Sequence, residues 1–581
     1  MNLPLKAYWD LLAHHIRPQK GRFALLTFLL LGSIGLRILN PQIMRAFIDS
    51  ALAGEALQIL TTAALAFLGI ALIQQAVAVG VTYLGENVAW TATNALRAEL
   101  AWHALNLDMG FHNDHTPGEL IERIDGDMTE MAAFFSQFVV TLIGNGVLLV
   151  GILAALFVED WRAGLVFTVY AVIVTLVLYR VKDIAVPDQK ARRQAESEMF
   201  GFIEEQLAGT EDIRASGAVD FSIRELFRLQ TNILRSNRRA HFKRWIIENF
   251  MGFAMSAGTI LAVASGYWLF VAGAVTVGTV YLFVHYIKLL EEPIWAMTRE
   301  IESFQTIGAC VERLTELRRL QPEVRDGRGT DAVACPPGLT FERVSFSYNS
   351  SDEVLSDLTF NLDPGRVLGL LGRTGSGKTT LARLVFRLYD PAAGSITLSG
   401  TNLRDMKLGA LRREVAIVTQ DVQLFRASVR DNLTFFDRDI PDERILSMLT
   451  DLDLDDWFQA LPDGLDSELE TGGKGLSAGE AQLLAFTRVF LRDPALVILD
   501  EASSRLDPVT EQRLERAIDK LLRGRTAIII AHRLGTVQRA DEIMILDGGR
   551  ISEYGDRRKL AADPASRFHQ LLQTGLEEVL V

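Results

Sequence analysis

Eight consecutive residues carry the clearest chemistry in the chain. Gly372–Thr379 reads GRTGSGKT, a G-x-x-x-x-G-K-[ST] pattern between an apolar run (Val367–Leu371, VLGLL) and a helix-forming run (Thr379–Leu388). Strand, glycine-rich loop and helix in that order make a cradle for phosphate. Gly372, Gly375 and Gly377 let successive backbone N–H groups curl around the oxygens, Arg373, Thr374, Ser376 and Thr380 complete the loop, and the helix N-terminus adds the positive end of its dipole. In such a cradle Lys378 is expected to reach the β- and γ-phosphates of a nucleotide and Thr379 to ligate Mg2+. Further on, Ala495–Glu501 (ALVILDE) is an apolar strand ending in two acids. Ligands of parallel sheets sit beyond the carboxyl ends of the strands. Asp500 is thereby placed to hold Mg2+ through water, and Glu501 to polarise an attacking water. A third strand, Ala527–Ala531 (AIIIA), ends at His532, within reach of the γ-phosphate by the same reasoning. The structural alternatives are a ligand-free glycine turn, a solvated acidic turn and a histidine of the core.

The elements that must position these residues are bounded by length and composition. At 581 residues the chain is too long for one hydrophobic core. A hydrophobic share of 49% beside a charged share of 23% suits a membrane part joined to a soluble part. The net charge of −13 argues against a nucleic-acid binder, which needs a surplus of Lys and Arg. Two cysteines, Cys310 and Cys335, exclude a disulfide scaffold and a Cys-rich metal site; both are expected to be free, buried thiols. Nearly all long apolar runs lie in residues 1–300, whereas 338–575 alternates short apolar strands with helical stretches. The charged, Pro- and Gly-containing segment 318–337 between them has no sustained period and reads as a linker.

The first half reads as six membrane-spanning helices at about 22–48, 58–90, 133–158, 163–181, 247–272 and 275–298, each near the 20 or so apolar residues that a span requires. Leu5, Trp9, Leu12 and Ile16 form an apolar stripe ahead of them, so residues 1–20 read as a helix lying in the membrane interface. No cleavable signal sequence is apparent. Short turns join spans 1–2, 3–4 and 5–6; long charged segments, 91–132 and 182–246, join 2–3 and 4–5. The second long segment holds twelve Lys/Arg, while the three short turns together hold only Arg162. The positive-inside rule then puts the long segments and both termini in the cytoplasm. Their helical periodicity predicts helices continuing past the membrane, since structureless loops of such length are uncommon. The fold class is therefore a multidomain membrane protein, a six-helix all-α transmembrane domain (21–317) followed by an α/β nucleotide-binding domain (338–575).

With these motifs in this order, the whole chain resembles an ATP-binding cassette (ABC) exporter half-transporter. The resemblance implies roles for further residues. Tyr348, closing Val344–Tyr348 (VSFSY), matches the aromatic residue that stacks on adenine. Gln420, in Val418–Asp421 (VTQD), matches the glutamine that senses Mg2+ and the membrane domain. Leu476–Glu480 (LSAGE) stands where the family has LSGGQ or LSGGE, so Ser477, Ala478, Gly479 and Glu480 would complete a partner's ATP site in trans. His532 matches the switch histidine, and Ser504–Asp507 (SRLD) the interface loop SALD, with Asp507 its acid. Phe111–Arg123 and Ile203–Ala218 resemble the two coupling-helix regions.

The resemblance implies an ATP- and Mg2+-dependent export pump. Two nucleotide domains meet head to tail, and closure on ATP drives alternating access for an amphipathic drug, lipid or peptide in a bacterial-type inner membrane. Ala478 and Arg505 depart from the family pattern at positions expected in the dimer interface. Such drift suggests a heterodimer, with a homodimeric lipid flippase or an ATP-gated channel of the same fold as alternatives. Gln74, Gln75, Asn145, His285 and Lys288 are polar groups near membrane depth that would face either a cavity or a neighbouring helix.

Overall fold

The computed structural model describes residues 13–181, 184, 186–329, 335–349, 352–419, 422–470, 472, 475–500, 508–531 and 537–574. It divides into two compact units: Met1–Leu105 with Pro117–Leu320, and Asn106–Thr116 with Gln321–Val581.

The first unit is helical. Its long helices are α1 (Lys20–Leu52), α2 (Leu57–Leu105), α3 (Gly144–Glu159), α4 (Trp161–Val181), α5 (Val219–Val271) and α6 (Val277–Arg319). Further helices fill the intervals, among them Asp127–Gln137, which runs through a π-helical turn (Phe138–Ile143) into α3. The 49 residues of α2 and 53 of α5 make rods of about 75–80 Å at 1.5 Å per residue, far longer than a bilayer core. Leu96, Leu100, Met128, Ile152, Phe167, Phe283, Tyr286 and Leu290 form the heart of the packed interior.

Among the described residues, five stretches are long and apolar enough to cross a membrane: α1 with the turn before it, α2, α3 with its π-helical approach, α4 and α5. The sixth expected span lies in α6, where Lys288, Glu291 and Glu292 interrupt the apolar run, so length and apolarity alone give five rather than six. Polar contacts gather the three short turns at one end of the unit. Asp49 accepts from Thr276 Oγ1 (2.7 Å) and from the Gly278 backbone (2.9 Å), and Arg45 pairs with Glu159. A side chain at Gly278 would meet the Arg45 carbonyl oxygen at 2.5 Å, so α1 and α6 approach there only because that residue is glycine. Elsewhere in the unit, Arg313 holds Asp127 through two nitrogens, and this pair touches Cys310, whose buried thiol is pushed up to about 12, first by desolvation and then by Asp127. Cys335, expected to be buried, is exposed: it lies in the irregular stretch before the first strand, outside both packed sheets. Of the expected interfacial helix, residues 1–12 lie outside the described set.

The second unit is an α/β domain. Its central sheet is built from β3 (Val367–Gly372), β6 (Val415–Val418), β9 (Leu496–Asp500), β10 (Thr526–Ile530), β11 (Glu542–Asp547) and β12 (Arg550–Asp556), in the order β12-β11-β3-β10-β9-β6. All neighbours are parallel except β11–β12. Strands β3, β9 and β10 are buried along their whole length, which explains their unbroken apolar runs: strands covered on both faces lose the alternation of a half-exposed strand. A second sheet places β1 (Leu339–Ser347) between β2 (Glu353–Leu362) and β4 (Ala393–Leu398), with β5 (Thr401–Asn402) beyond β4, all antiparallel, and a short β7 (Ala427–Ser428) pairs with β8 (Glu468–Leu469). Three helices matter for the site: α7 (Lys378–Val385), α8 (Ala478–Arg492) and α9 (Pro508–Leu522).

Candidate functional site

The phosphate loop emerges from the carboxyl end of β3. Gly372, Gly375 and Gly377 have φ of 150°, 83° and 102°, conformations that side chains rarely adopt. Two of them also lack room. A Cβ at Gly372 would lie 2.3 Å from the Leu546 carbonyl oxygen, and one at Gly377 2.4 Å from Leu355 Cδ2. Gly377 is the N-cap of α7, so the loop delivers the chain directly into the helix. Lys378 is buried and its ammonium donates to the carbonyl oxygens of Gly372 (2.6 Å) and Arg373 (3.0 Å), drawing the loop into a ring. Inside this ring the buried Ser376 hydroxyl has no hydrogen-bond partner, an arrangement normally resolved by a ligand or water. Arg373, Thr374, Gly375 and Thr379 are exposed on the outer side, and Thr380 is buried beneath.

Sheet register sets the rest. Leu370 of β3 pairs with Ile530 of β10, which pairs with Asp500 of β9; Leu499 pairs with Val418 of β6. The four carboxyl ends therefore lie side by side. They are the strands that lead into the phosphate loop, Gln420, Glu501 and His532. Asp500 itself is 9% exposed. Gln420, Glu501, Asp507 and His532 lie outside the described residues. An unpartnered buried hydroxyl, an ammonium curled over the loop, an exposed Thr379 on the first helical turn and a carboxylate ending β9, two strands over, fit a nucleotide triphosphate with a hard divalent cation.

Tyr348 directly follows β1. Its hydroxyl lies 3.0 Å from Thr380 Oγ1 and accepts from Arg383 at 3.2 Å, which ties the expected base platform to the helix of the phosphate loop. The signature segment opens α8. Ser477 is the N-cap, accepting from the Glu480 backbone at 3.2 Å while the Glu480 carboxylate accepts from the Ser477 backbone at 2.8 Å, a reciprocal capping box. Ser477 and Ala478 are exposed, whereas Gly479 is buried, and a Cβ at Gly479 would lie 2.0 Å from Thr510 Cγ2 of α9. Within this chain, then, position 478 has room for a methyl group and position 479 does not.

Residue patterns single out neither Arg488 nor Tyr389, and they place Asn113 in the coupling region 111–123 without a role of its own. Arg488, on the buried face of α8, donates to the carbonyl oxygens of Asn432 (2.7 Å) and Gln423 (2.9 Å) and lies over the Phe435 ring. Desolvation and then Arg492 push it down to about 10, so it remains charged at neutral pH. A single arginine in an amphipathic helix gives no signal in the sequence. Among the membrane-depth polar residues, Asn145 is buried among helices, Gln74 and His285 are half-buried, and Gln75 and Lys288 are exposed on their helices. Arg37 of α1 pairs with Glu292 of α6 at 2.6 Å.

A helical membrane unit joined to an α/β phosphate-loop unit defines an ATP-driven membrane protein, and comparison with known proteins agrees. The family model described as ABC transporter transmembrane region matches residues 23–294, and that described as ABC transporter matches 355–504. The chain is 30% identical over 582 residues, 99% of each chain, to the ATP-dependent lipid A-core flippase of Idiomarina loihiensis. It is 28% identical, over 95% of its own length and 92% of the relative's, to the uncharacterized ABC transporter ATP-binding protein YknV of Bacillus subtilis. Its fold matches the structure of a bacterial Atm1-family ABC exporter with ATP bound, with a TM-score of 0.78, 22% identity, and coverage of 96% and 98% of the two chains. The chain belongs to the ABC transporters: it is an integral membrane protein that binds ATP and couples its hydrolysis to transport.

Proposed function

We propose that this chain is one half of a dimeric exporter that moves an amphipathic substrate across a bacterial inner membrane. The nucleotide-binding unit and both termini lie in the cytoplasm, and the boundaries are those drawn from sequence, with a membrane domain at 21–317, a linker at 318–337 and a nucleotide-binding domain at 338–575. The observation that carries the reading is the alignment of four strand ends beside the glycine-rich ring around Lys378. Lys378 leaves its two carbonyl partners for the β- and γ-phosphates. Tyr348 takes the adenine. Thr379, Asp500 and Gln420 would hold Mg2+, which would supply neutralising charge to the phosphates. Glu501 orients the attacking water, and His532 contacts the γ-phosphate. Ser477 and Gly479 face the nucleotide of the partner chain, with Asp507 beside them at the interface. ATP thus holds the two nucleotide domains together, and hydrolysis releases them, shifting the population of membrane conformations.

The partner is a different half-transporter. Support comes from position 478: Ala478 is exposed at the start of α8, where the departure from glycine would act on whatever docks there. The flippase name of the Idiomarina relative supports a lipid as the substrate class, and the exposed Lys288 and the Arg37–Glu292 pair suit a charged headgroup. The test is ATPase activity of the purified protein in proteoliposomes, with lipids, peptides and amphipathic drugs compared as stimulants. Stimulation by a lipid with a charged headgroup supports the reading; stimulation by peptides alone contradicts it.

A further inference from the structure

The ring of Tyr348 has neighbours that the nucleotide reading does not use. Phe346 stands edge-on to it at 4.9 Å and Tyr389 nearly perpendicular at 5.2 Å, and these two touch each other at 5.5 Å. With the hydroxyl held by Thr380 and Arg383, the ring is fixed on three sides and remains 38% exposed. Tyr389 is itself anchored: its hydroxyl accepts from Asn113 Nδ2 at 2.8 Å. Asn113 belongs to the short helix Met109–Asp114, within the stretch Asn106–Thr116 that continues α2 in sequence yet groups with the second unit. The same stretch is fastened by Asp108, whose carboxylate accepts from the backbone N–H groups of Glu323 and Val324.

We propose that Tyr389 is a positioning residue for the nucleotide base, its ring bracing Tyr348 and its own orientation fixed by Asn113 of the first cytoplasmic segment. The proposal rests on Tyr348 being the base platform. A stacking surface adds affinity only when its ring is held before the ligand arrives, because freezing a free rotor on binding consumes part of the gain. Perpendicular aromatic contacts supply that restraint. One consequence is that a residue from the connection between two membrane helices takes part in nucleotide affinity.

The full-length transporter in lipid nanodiscs provides the test, through KM and kcat for ATP and through the inhibition constant of inorganic tripolyphosphate, which has no base. Tyr389→Ala should raise KM for ATP about three- to tenfold, the effect of losing an aromatic pair, with kcat and the tripolyphosphate constant unmoved. Tyr389→Phe keeps the ring and should recover most of that loss. Asn113→Ala should resemble Tyr389→Phe, a rise of about two- to threefold for one hydrogen bond. The double variant should be no worse than either, since both remove the same bond. Additive effects, a parallel rise in the tripolyphosphate constant, or an unchanged KM in Tyr389→Ala beside a raised KM in Tyr348→Ala would overturn the proposal. An unchanged KM in Tyr348→Ala overturns the base-platform reading itself and the proposal with it.

Discussion

At positions 478 and 479, adjacent residues of the signature segment answer to different constraints. Gly479 is required by the chain's own packing, because a methyl group there would overlap Thr510 of α9. Gly479→Ala should therefore lower stability by about 1–3 kcal/mol, the usual range for overpacking. A fall in the first thermal transition of the purified protein would register it, and an unchanged transition would mean that α8 and α9 separate freely at that point. Ala478 is exposed, so Ala478→Gly should move the same transition by no more than about 1 kcal/mol, the helix-propensity difference. Any larger effect of that change should appear in ATP turnover of the assembled dimer. The phosphate loop was readable from residue types because its glycines are demanded locally, by positive φ and by close contacts at Gly372 and Gly377. Tyr389 was not readable. Its role comes from a ring contact with Tyr348 and a bond from Asn113, 276 positions away, and nothing in the spacing of residues near 389 encodes either.

Among the elements, α8 shows how a catalytic-domain helix is fixed. Asn432 orders its loop through bonds with Phe425 and Ser428, and Arg488 of α8 caps that arrangement from within. Arg488→Met should leave the carbonyl groups of Gln423 and Asn432 without donors and destabilise the second unit by about 2–3 kcal/mol, measurable as lost protection of backbone amides in 422–436 against hydrogen exchange. Unchanged protection would show that Phe435 and Asn432 hold the loop unaided. The long helices were legible as continuations of the spans because their periodicity never breaks. Two features at this scale were hidden. The segment 318–337 reads as an unstructured linker, yet part of it is bonded tightly: Arg387 donates to the Arg325 carbonyl at 2.8 Å, Leu408 N–H to Asp326 at 2.7 Å, and Gly329 N–H to the Asp405 carbonyl at 2.6 Å. These are tertiary bonds to the backbone, to which composition is blind. The π-helical turn at Phe138–Ile143 is likewise a matter of backbone register, which apolar residue types leave open. Orientation offers a further test on a Cys335→Ser background. Cysteines at Ala53, Arg162 and Ala274, at or beside the three gathered turns, should react with an impermeant thiol reagent in intact cells, and one at Ser216 should not. Labelling at Ser216 would reverse the topology.

The whole molecule is a membrane unit and a nucleotide unit, and on the proposed reading their joint activity needs a second chain. If that chain differs from this one, the drift at Ala478 affects only the site that pairs this signature with the partner's phosphate loop, while Lys378 and Glu501 serve the other. The partner should then show the complementary pattern, an intact signature beside a weakened catalytic acid. Purified alone, this chain should form few dimers and hydrolyse ATP slowly, and co-expression should restore both; a lone chain with full transport would refute the heterodimer. If this chain's own phosphate loop hydrolyses the ATP that drives transport, the reaction depends on Glu501. The direct measurement is ATP binding and turnover by the assembled transporter carrying Glu501→Gln in proteoliposomes. ATP should still bind and be trapped in a closed dimer, while turnover falls by roughly 10²–10⁴-fold, the contribution expected of a positioned general base. Turnover close to that of the unmodified protein would contradict it.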